Sequence, residues 1–191
     1  MSGVNQDRHP ALRRQLKSRL QGVPLWGPCK SPWDKKPWGG GSSSGSGSAV
    51  GTGLVPFSIG SETWGSILSP ANNCGVSGLR PTYGRVSRYG AMALSWSLDK
   101  IGPLCLSADD CGIVLEHISG PDSKDPSASD NIYAYNHDLS ERPFKIAVLS
   151  DATLNADSEV SNNFQRSLQT QGQFLYKKEI DYPEYPYEAI T

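Results

Sequence analysis

Two serine-rich loops contain the residues whose types and spacing point to chemistry. The first reads GGSSSGS from Gly40 to Ser46, the second reads GSETWGSI from Gly60 to Ile67, and Ser42 and Ser66 lie 24 residues apart. A serine hydroxyl attacks a carbonyl carbon only when a base removes its proton. The resulting oxyanion then needs preorganised donors, worth about 3 kcal/mol each. Glycine-rich loops let successive backbone N–H groups converge on one oxygen, so the pair of loops has the composition that serine-based attack on a carbonyl needs, although an isolated serine-rich loop is more often an ordinary turn.

Length and composition set the frame for these loops. The 191 residues carry a net charge of −1, and 37% of them are hydrophobic, which fits one domain with a modest core and disfavours a polyanion-binding role. The 20 glycines and 14 prolines predict many turns and exclude a simple helical bundle. Neither loop has the G-x-x-x-x-G-K-[ST] pattern of a phosphate-binding loop, so a phosphate-binding module is disfavoured.

Cysteine and histidine usage predicts no metal site. The four cysteines form no C-x-x-C pair, and the three histidines lie at no metal-ligand spacing from them. Residues 1–20 contain no continuous apolar stretch of the signal-peptide type, and no run of about 18 apolar residues occurs. We therefore expect a cytoplasmic protein with reduced thiols, no direct contact with nucleic acid and no membrane association.

The N-terminal sequence differs in charge from the rest. Residues 1–38 carry a net charge of +6, and Leu12, Leu16 and Leu20 are spaced for one narrow face of a short helix. We interpret residues 1–23 as a basic leader, for which a solvated surface helix is favoured over a membrane or nucleic-acid contact. Residues 24–191 form the predicted domain.

The elements that must position the loops follow from periodicity. The sequence PFSIG predicts a buried strand after the first loop, and residues 60–100 read as strands and loops. Ser107 caps a predicted helix with Cys111, Val114, Leu115 and Ile118 on one face. A strand at 144–149, a helix with Val160, Phe164 and Leu168 on one face, and a strand at 173–180 then follow. This strand–helix–strand order predicts an α/β architecture with a right-handed crossover.

The segments after the second loop resemble a known family. They read PANNCG from Pro70, GLRPTYGRVSR from Gly78 to Arg88, and SLDKIGP from Ser97 to Pro103. With the two loops, they resemble the amidase signature family, whose hallmarks include a GGSS(G/S)GS loop and a GS(D/E)T-x-GSI loop. The resemblance covers about residues 24 to 191. It implies an α/β layered fold with a mixed β-sheet flanked by helices, incomplete in this chain.

The resemblance also implies roles for individual residues. In the family a lysine, a serine that follows a cis peptide bond and a second serine form the catalytic triad. By motif position, Ser66 is the nucleophile, Ser42 is the bridging proton relay, and Gly41–Ser42 is the cis bond. Ser43 matches a residue that orients the triad. The oxyanion-hole stretch, which donates backbone N–H groups, corresponds to Thr63, Trp64, Gly65 and Ser66. The expected function is therefore hydrolysis of a small-molecule carboxamide, with no cofactor.

Several departures from the family pattern bear on this expectation. Many members have Asp, Gly and Arg where this chain has Glu62, Trp64 and Leu68, and the ring of Trp64 is expected to narrow the acyl site. Single aromatic residues such as Tyr89 and Trp96 are expected in the core more often than at a pocket. The family lysine lies in an apolar segment several dozen residues before the bridging serine, and no lysine of this chain matches it. The lysines that precede Ser42 lie in polar, proline-rich or basic sequence: Lys17, Lys30, Lys35 and Lys36.

Three functional hypotheses therefore stay open. The first is an amidase-type C–N hydrolase that uses Ser66. The second, inside the same family, is a glutamine-hydrolysing A subunit of a tRNA-dependent amidotransferase. The third is a truncated, non-catalytic fragment, which would expose strand edges and apolar faces and pair with a second copy or a complementary chain.

Overall fold

The computed structural model of the protein describes residues 29–34, 38–136, 144–149, 153–171 and 175–181. These residues belong to two compact units, one within residues 29–136 and the other within 144–181. The predicted leader helix with Leu12, Leu16 and Leu20 lies outside the described residues. No helix in the described ranges is both long and apolar enough to span a membrane.

The first unit is built around a small antiparallel sheet. Its elements are α1 (Ser44–Gly51), β1 (Phe57–Glu62), α2 (Leu68–Cys74), β2 (Ser77–Gly78), β3 (Lys100–Cys105) and α3 (Ala108–Ile118). The sheet order is β1–β3–β2, and both pairs are antiparallel. In the register of β1 with β3, Glu62 lies opposite Lys100. Ile67, Ala71 of α2 and Leu104 of β3 form the buried cluster of this unit.

The small residues of the first serine-rich loop and α1 permit close helix packing. A Cβ atom on Gly47 would lie 3.1 Å from the carbonyl oxygen of Pro70, and one on Gly51 would lie 2.8 Å from that of Cys74. Larger side chains at these positions would therefore force α1 away from α2. The glycine-serine composition, which taken alone is that of a flexible linker, here serves a tightly packed helix.

Helix α2 corrects the prediction that residues 60–100 contain strands and loops. The apolar piece ILSP contributes to Leu68–Cys74, a helix that ends at Gly75 with φ 66° and ψ 38°, a left-handed conformation that favours glycine. Pro70 lies in the first turn, where its missing N–H costs nothing. The carboxylate of Glu62 accepts hydrogen bonds from the N–H groups of Ile67 and Leu68, at 2.8 and 3.0 Å. A side chain from β1 therefore caps the helix, which a local pattern does not reveal.

Three aromatic side chains are more exposed than the sequence predicted. The PFSIG strand is confirmed as β1, but Phe57 is 48% exposed and Ile59 is 41% exposed, because their face of this edge strand is uncovered. Tyr89 and Trp96 are 63% and 80% exposed. Their expected placement in the core is therefore wrong.

The predicted helix after Ser107 is confirmed as α3. The Ser107 hydroxyl oxygen accepts a hydrogen bond from the N–H of Asp110 at 3.1 Å, and the acidic residues of the first turn favour the positive end of the helix. Cys111 and Leu115 face the core, as the apolar spacing predicted.

The second unit contains one parallel strand pair. Strand β4 (Phe144–Leu149) pairs in parallel with β5 (Leu175–Ile180), and helix α4 (Ser158–Gln171) lies between them in sequence. The strand–helix–strand prediction is confirmed. Antiparallel and parallel pairing thus both occur, which confirms the predicted α/β fold with helices and mixed strand directions.

One glycine of β3 supports a stability prediction. A Cβ atom on Gly102 would collide with the carbonyl oxygen of Leu79 and lie 2.8 Å from Cδ of Pro81. We expect Gly102→Ala to lower the free energy of unfolding by about 1–3 kcal/mol. In the control Gly45→Ala, the new methyl group meets open space on a helix, and stability should rise by about 0.5–1 kcal/mol. Urea unfolding measures both changes, and equal stability of the two variants would contradict the packing argument.

Candidate active site

The first serine-rich loop contains a cis peptide bond. The Gly41–Ser42 bond is cis, as the family resemblance implies. The side chain of Ser42 is exposed, whereas that of Ser43 is buried. Ser43 Oγ donates a hydrogen bond to the carbonyl of Ser61 and accepts one from the N–H of Ser61, both at 3.2 Å. Ser43 therefore fastens the first loop to the end of β1.

A backbone hydrogen bond joins the two serine-rich loops. The N–H of Ser43 donates to the carbonyl oxygen of Ser66 at 3.1 Å. Since Ser42 directly precedes Ser43, the backbone segments that carry Ser42 and Ser66 are neighbours. The side chain of Ser66 is half-buried, and no hydrogen bond holds its hydroxyl within the described residues. The structure thus brings together the two serines that the sequence singled out.

Glu62 organises the second loop from inside the protein. Its side chain is fully buried, and one carboxylate oxygen accepts the two N–H groups that begin α2. The other oxygen pairs with the guanidinium of Arg80 at 3.3 Å. The chain from 62 to 68 is therefore closed into a compact turn. Sequence reasoning noted Glu62 as a departure from the family pattern and missed this structural role.

The N–H groups inside this turn are available for a ligand. In the described structure, the backbone N–H groups of Trp64, Gly65 and Ser66 donate to no protein acceptor. Three successive donors of this kind can converge on one anionic oxygen. The ring of Trp64 is 66% exposed, so in the described structure it does not enclose an acyl site. Gly65 has open space around its Cα, which leaves room for a substrate to approach.

Two consecutive residues of β3 and the preceding loop hold Thr63. The Thr63 hydroxyl donates to Oδ1 of Asp99 at 2.5 Å, and the ammonium of Lys100 donates to the carbonyl oxygen of Thr63 at 3.0 Å. Asp99 Oδ2 also accepts the N–H groups of Leu94 and Ser95. Burial alone would raise the pKa of Asp99, but these hydrogen bonds outweigh burial and hold the pKa below its usual range. Asp99 is therefore a charged anchor for the second loop.

Arg88 stabilises the 83–96 segment, whose Leu94 and Ser95 N–H groups bind Asp99. Its guanidinium donates to the carbonyl of Trp96 at 2.6 Å and to the hydroxyls of Tyr83 and Ser127, both at 2.7 Å. Its backbone N–H donates to Asp125 at 2.7 Å. This network connects the 83–96 segment, in which Leu94 and Ser95 bind Asp99, to the turn at 122–127.

The carboxylate of Asp125 makes stability depend on pH. Hydrogen bonds from the Ser127 hydroxyl and the Arg88 N–H lower its pKa to about 2, below the value near 3.9 of an unfolded aspartate. Because the folded pKa is depressed, this contribution is present above about pH 4 and is lost as the pH falls toward 2. We expect the urea midpoint to drop across this window, and Asp125→Asn to flatten the drop. An identical slope in the variant would contradict the assignment.

The cavity beside the site is too small for a substrate. It measures about 20 Å³, and its lining includes Ser61, Arg88, Trp96 and Asp99. That volume holds about one water molecule. This cavity, formed by described residues, is therefore too small to be the pocket for a carboxamide substrate.

The buried thiols are poor alternative nucleophiles. Burial raises the pKa of Cys74 and Cys111, and burial together with a hydrogen bond to Cys111 raises that of Cys105 to about 12. These thiols stay protonated at neutral pH and are unreactive. In the described ranges, no three His, Cys, Asp or Glu side chains are grouped as metal ligands.

Lys100 contacts the second serine-rich loop, and the sequence did not predict this contact. Lys30, considered from the sequence, is exposed, and Lys17, Lys35 and Lys36 lie outside the described residues. Lys100 contacts Thr63 instead. Its signal in the sequence is weak, since the strand register that places it opposite Glu62 depends on long-range pairing.

Comparisons with known proteins identify the family of the chain. The chain matches the amidase family over residues 20–189. The A subunit of glutamyl-tRNA(Gln) amidotransferase from Legionella pneumophila (strain Corby) is 52% identical over 107 residues, which make up 56% of this chain and 22% of that protein. The chain thus spans about a fifth of the length of that relative.

Two solved structures share the fold. The A subunit of glutamyl-tRNA(Gln) amidotransferase from Thermotoga maritima superposes with a TM-score of 0.76 at 35% identity, over 83% of this chain and 36% of that one. The peptide amidase from Stenotrophomonas maltophilia superposes with a TM-score of 0.73 at 31% identity, over 86% of this chain and 35% of that one. Because the family match covers most of its residues and the fold agrees, the chain belongs to the amidase family.

Proposed function

We propose that this chain carries the serine loops of an amidase-type C–N hydrolase, with Ser66 as the nucleophile and Ser42 as the proton relay. The observation that supports this most directly is the hydrogen bond from the Ser43 N–H to the Ser66 carbonyl. It joins the loop with the cis Gly41–Ser42 bond to the loop that carries the second serine. Two unrelated surface turns would not be expected to share a backbone hydrogen bond, so this contact favours a common role for the two loops.

The proposed reaction proceeds in two halves. Ser66 Oγ loses its proton through Ser42 and bonds to the carboxamide carbon, while the carbonyl oxygen becomes an oxyanion held by N–H groups of residues 63–66. The C–N bond then breaks, the proton passes to the leaving amine, and an acyl ester on Ser66 remains. Water attacks this ester, releases the acid and restores the serine. Ser43 acts by fixing both loops.

The proposed mechanism requires a base that accepts the proton from Ser42. A lysine in that role must be neutral, which needs a buried site. The chain spans about a third of the solved relatives, and the lysine that the family places before the bridging serine has no match here. Activity therefore depends on whether some base reaches Ser42.

Covalent labelling tests the proposal. We expect a fluorophosphonate to add one phosphonyl group per chain, located at Ser66 by peptide mapping, because only an activated serine reacts quickly. Ser66→Ala should remove the label, and Ser69→Ala should keep it, since Ser69 is an exposed serine at the start of α2. A folded wild-type chain that remains unlabelled would favour the non-catalytic fragment.

A glutamine amidohydrolase of the A-subunit type is the second candidate. Over a similar share of this chain, the Thermotoga maritima A subunit is 35% identical and the peptide amidase is 31% identical, and the Legionella pneumophila A subunit is 52% identical over 107 residues, which favours this branch of the family. Ammonia release from glutamine, compared with release from an amidated peptide, distinguishes the two. Preferential release from glutamine would support the A-subunit branch, and preferential release from the peptide would support a stand-alone amidase.

The organisation of the chain is part of the same proposal. We propose that residues 24–191 are a partial amidase domain, that residues 1–23 are a basic leader, and that the protein works in the cytoplasm. The four unpaired cysteines support a reducing compartment. Exposed apolar residues of β1 and the 89–98 segment favour pairing with a complementary chain or a second copy. A stable monomer of 20.6 kDa in sedimentation analysis would contradict that pairing.

A further inference from the structure

Lys100 lies on the strand next to β1 and contacts the second serine-rich loop, which carries the candidate oxyanion-hole N–H groups. It is half-buried at the start of β3, directly opposite Glu62 in the antiparallel register. Residues opposite each other project to the same face of a sheet, so the Lys100 side chain lies on the same face as that of Glu62, the last residue of β1. Its ammonium donates to the carbonyl oxygen of Thr63, the next residue after the strand, at 3.0 Å.

The two carboxylates nearest to Lys100 in sequence and in strand register bind other groups: Asp99, which precedes it in the sequence, and Glu62, which lies opposite it in the register. Glu62 binds the start of α2 and Arg80, and Asp99 binds Thr63 Oγ1 and two backbone N–H groups. Within the described residues, no carboxylate lies within 4.0 Å of the Lys100 ammonium. The charge of Lys100 is therefore directed at the Thr63 carbonyl and is not neutralised by an ion pair.

That carbonyl belongs to the peptide unit that contains the N–H of Trp64. The peptide between them is trans, so its C=O and N–H bonds point in opposite directions within one plane. A donor that fixes the oxygen therefore fixes the direction of the N–H. A cation at the oxygen end also polarises the amide, which makes its N–H a stronger donor.

We propose that Lys100 is a positioning residue for amide hydrolysis, whose ammonium holds the Thr63 carbonyl and thereby aims and polarises the Trp64 N–H toward the oxyanion. This inference rests on the proposed function, because it needs Ser66 to attack beside that N–H. Asp99 complements it by holding the Thr63 side chain. Thr63 is thus fixed at its hydroxyl and at its carbonyl by consecutive residues.

Phosphonylation of Ser66 by a fluorophosphonate, in which fluoride leaves, measures the effect, because the phosphoryl oxygen gains negative charge in the transition state at the position of the oxyanion. Direct loss of an oxyanion donor costs about 100-fold or more, so loss of a group that only aims one should lower kinact about tenfold in Lys100→Met. KI should stay unchanged, since the Lys100 ammonium donates to the Thr63 carbonyl and is proposed to act only when the oxyanion forms. Lys100→Arg should restore most of kinact, and Lys100→Gln, a neutral donor, should give an intermediate value.

Further variants separate this role from simple destabilisation. Lys124→Met removes an exposed lysine over the Tyr89 ring and should leave kinact unchanged. Lys100→Thr suits a strand but is too short to reach Thr63, so it provides a second test if the methionine variant does not fold. A wild-type kinact in a folded Lys100→Met or Lys100→Thr chain, with labelling still lost in Ser66→Ala, would overturn the role of Lys100 alone. Labelling that persists in Ser66→Ala would overturn the proposed function and this inference together.

Discussion

The Ser66→Ala variant is expected to lower carboxamide hydrolysis by at least ~10⁴-fold while the protein keeps its fold. The loss is large because no other group takes over covalent attack once the hydroxyl is removed. Stability should change by less than about 0.5 kcal/mol, since the Ser66 hydroxyl makes no hydrogen bond within the described residues and its backbone carbonyl, which binds Ser43, is retained. Ammonia release and urea unfolding measure the two effects.

Two further variants show whether the serines act as a unit. Ser42→Ala should lower the rate by about 10²–10⁴-fold, the usual contribution of proton transfer. Adding Ser42→Ala to Ser66→Ala should lower it no further, because a relay without a nucleophile has nothing to activate. Ser69→Ala should retain the wild-type rate. Hydrolysis by Ser66→Ala at the wild-type rate would exclude Ser66 as the nucleophile.

Locally encoded elements could be predicted from the sequence. Helix α3 begins with a capping serine and acidic residues, and its apolar spacing is helical, so every signal lies within the twelve residues from Ser107 to Ile118. The β4–α4–β5 order could be predicted in the same way, from the strand at 144–149 and the apolar face of α4. The two serine-rich loops could be assigned a candidate catalytic role because their motifs and spacing match those of a family. The local sequence of each loop alone predicts an ordinary turn.

Elements that depend on distant residues could not be predicted. Helix α2 is capped by Glu62, whose side chain belongs to a strand, so the signal for the helix start lies outside the helix itself. The exposure of Phe57 and Trp96 depends on what packs against them, which no periodicity specifies. Lys100 reaches Thr63 only because β3 pairs with β1 across 38 residues of sequence, from Glu62 to Lys100. Pairing at that distance is decided by the whole sheet.

The dependence of α2 on Glu62 leads to the second large expected effect. Glu62→Leu should lower the free energy of unfolding by about 2–5 kcal/mol, because it leaves the N–H groups of Ile67 and Leu68 without their buried acceptor. Loss of the ion pair adds little, since the side chain of its partner Arg80 is 44% exposed. Urea unfolding followed by circular dichroism gives the change.

Glu62→Gln and Arg80→Met separate the contributions of the buried carboxylate. The glutamine amide oxygen can still accept both N–H groups, so this variant should lose only about 1 kcal/mol. Arg80→Met removes the ion pair and keeps both backbone hydrogen bonds, and it should cost a similar amount. If Glu62→Leu proved no less stable than Arg80→Met, the carboxylate would not be what caps α2. If instead it shows the larger loss, Ser66 should also lose reactivity in it, because the turn that presents the serine is closed by the same two hydrogen bonds.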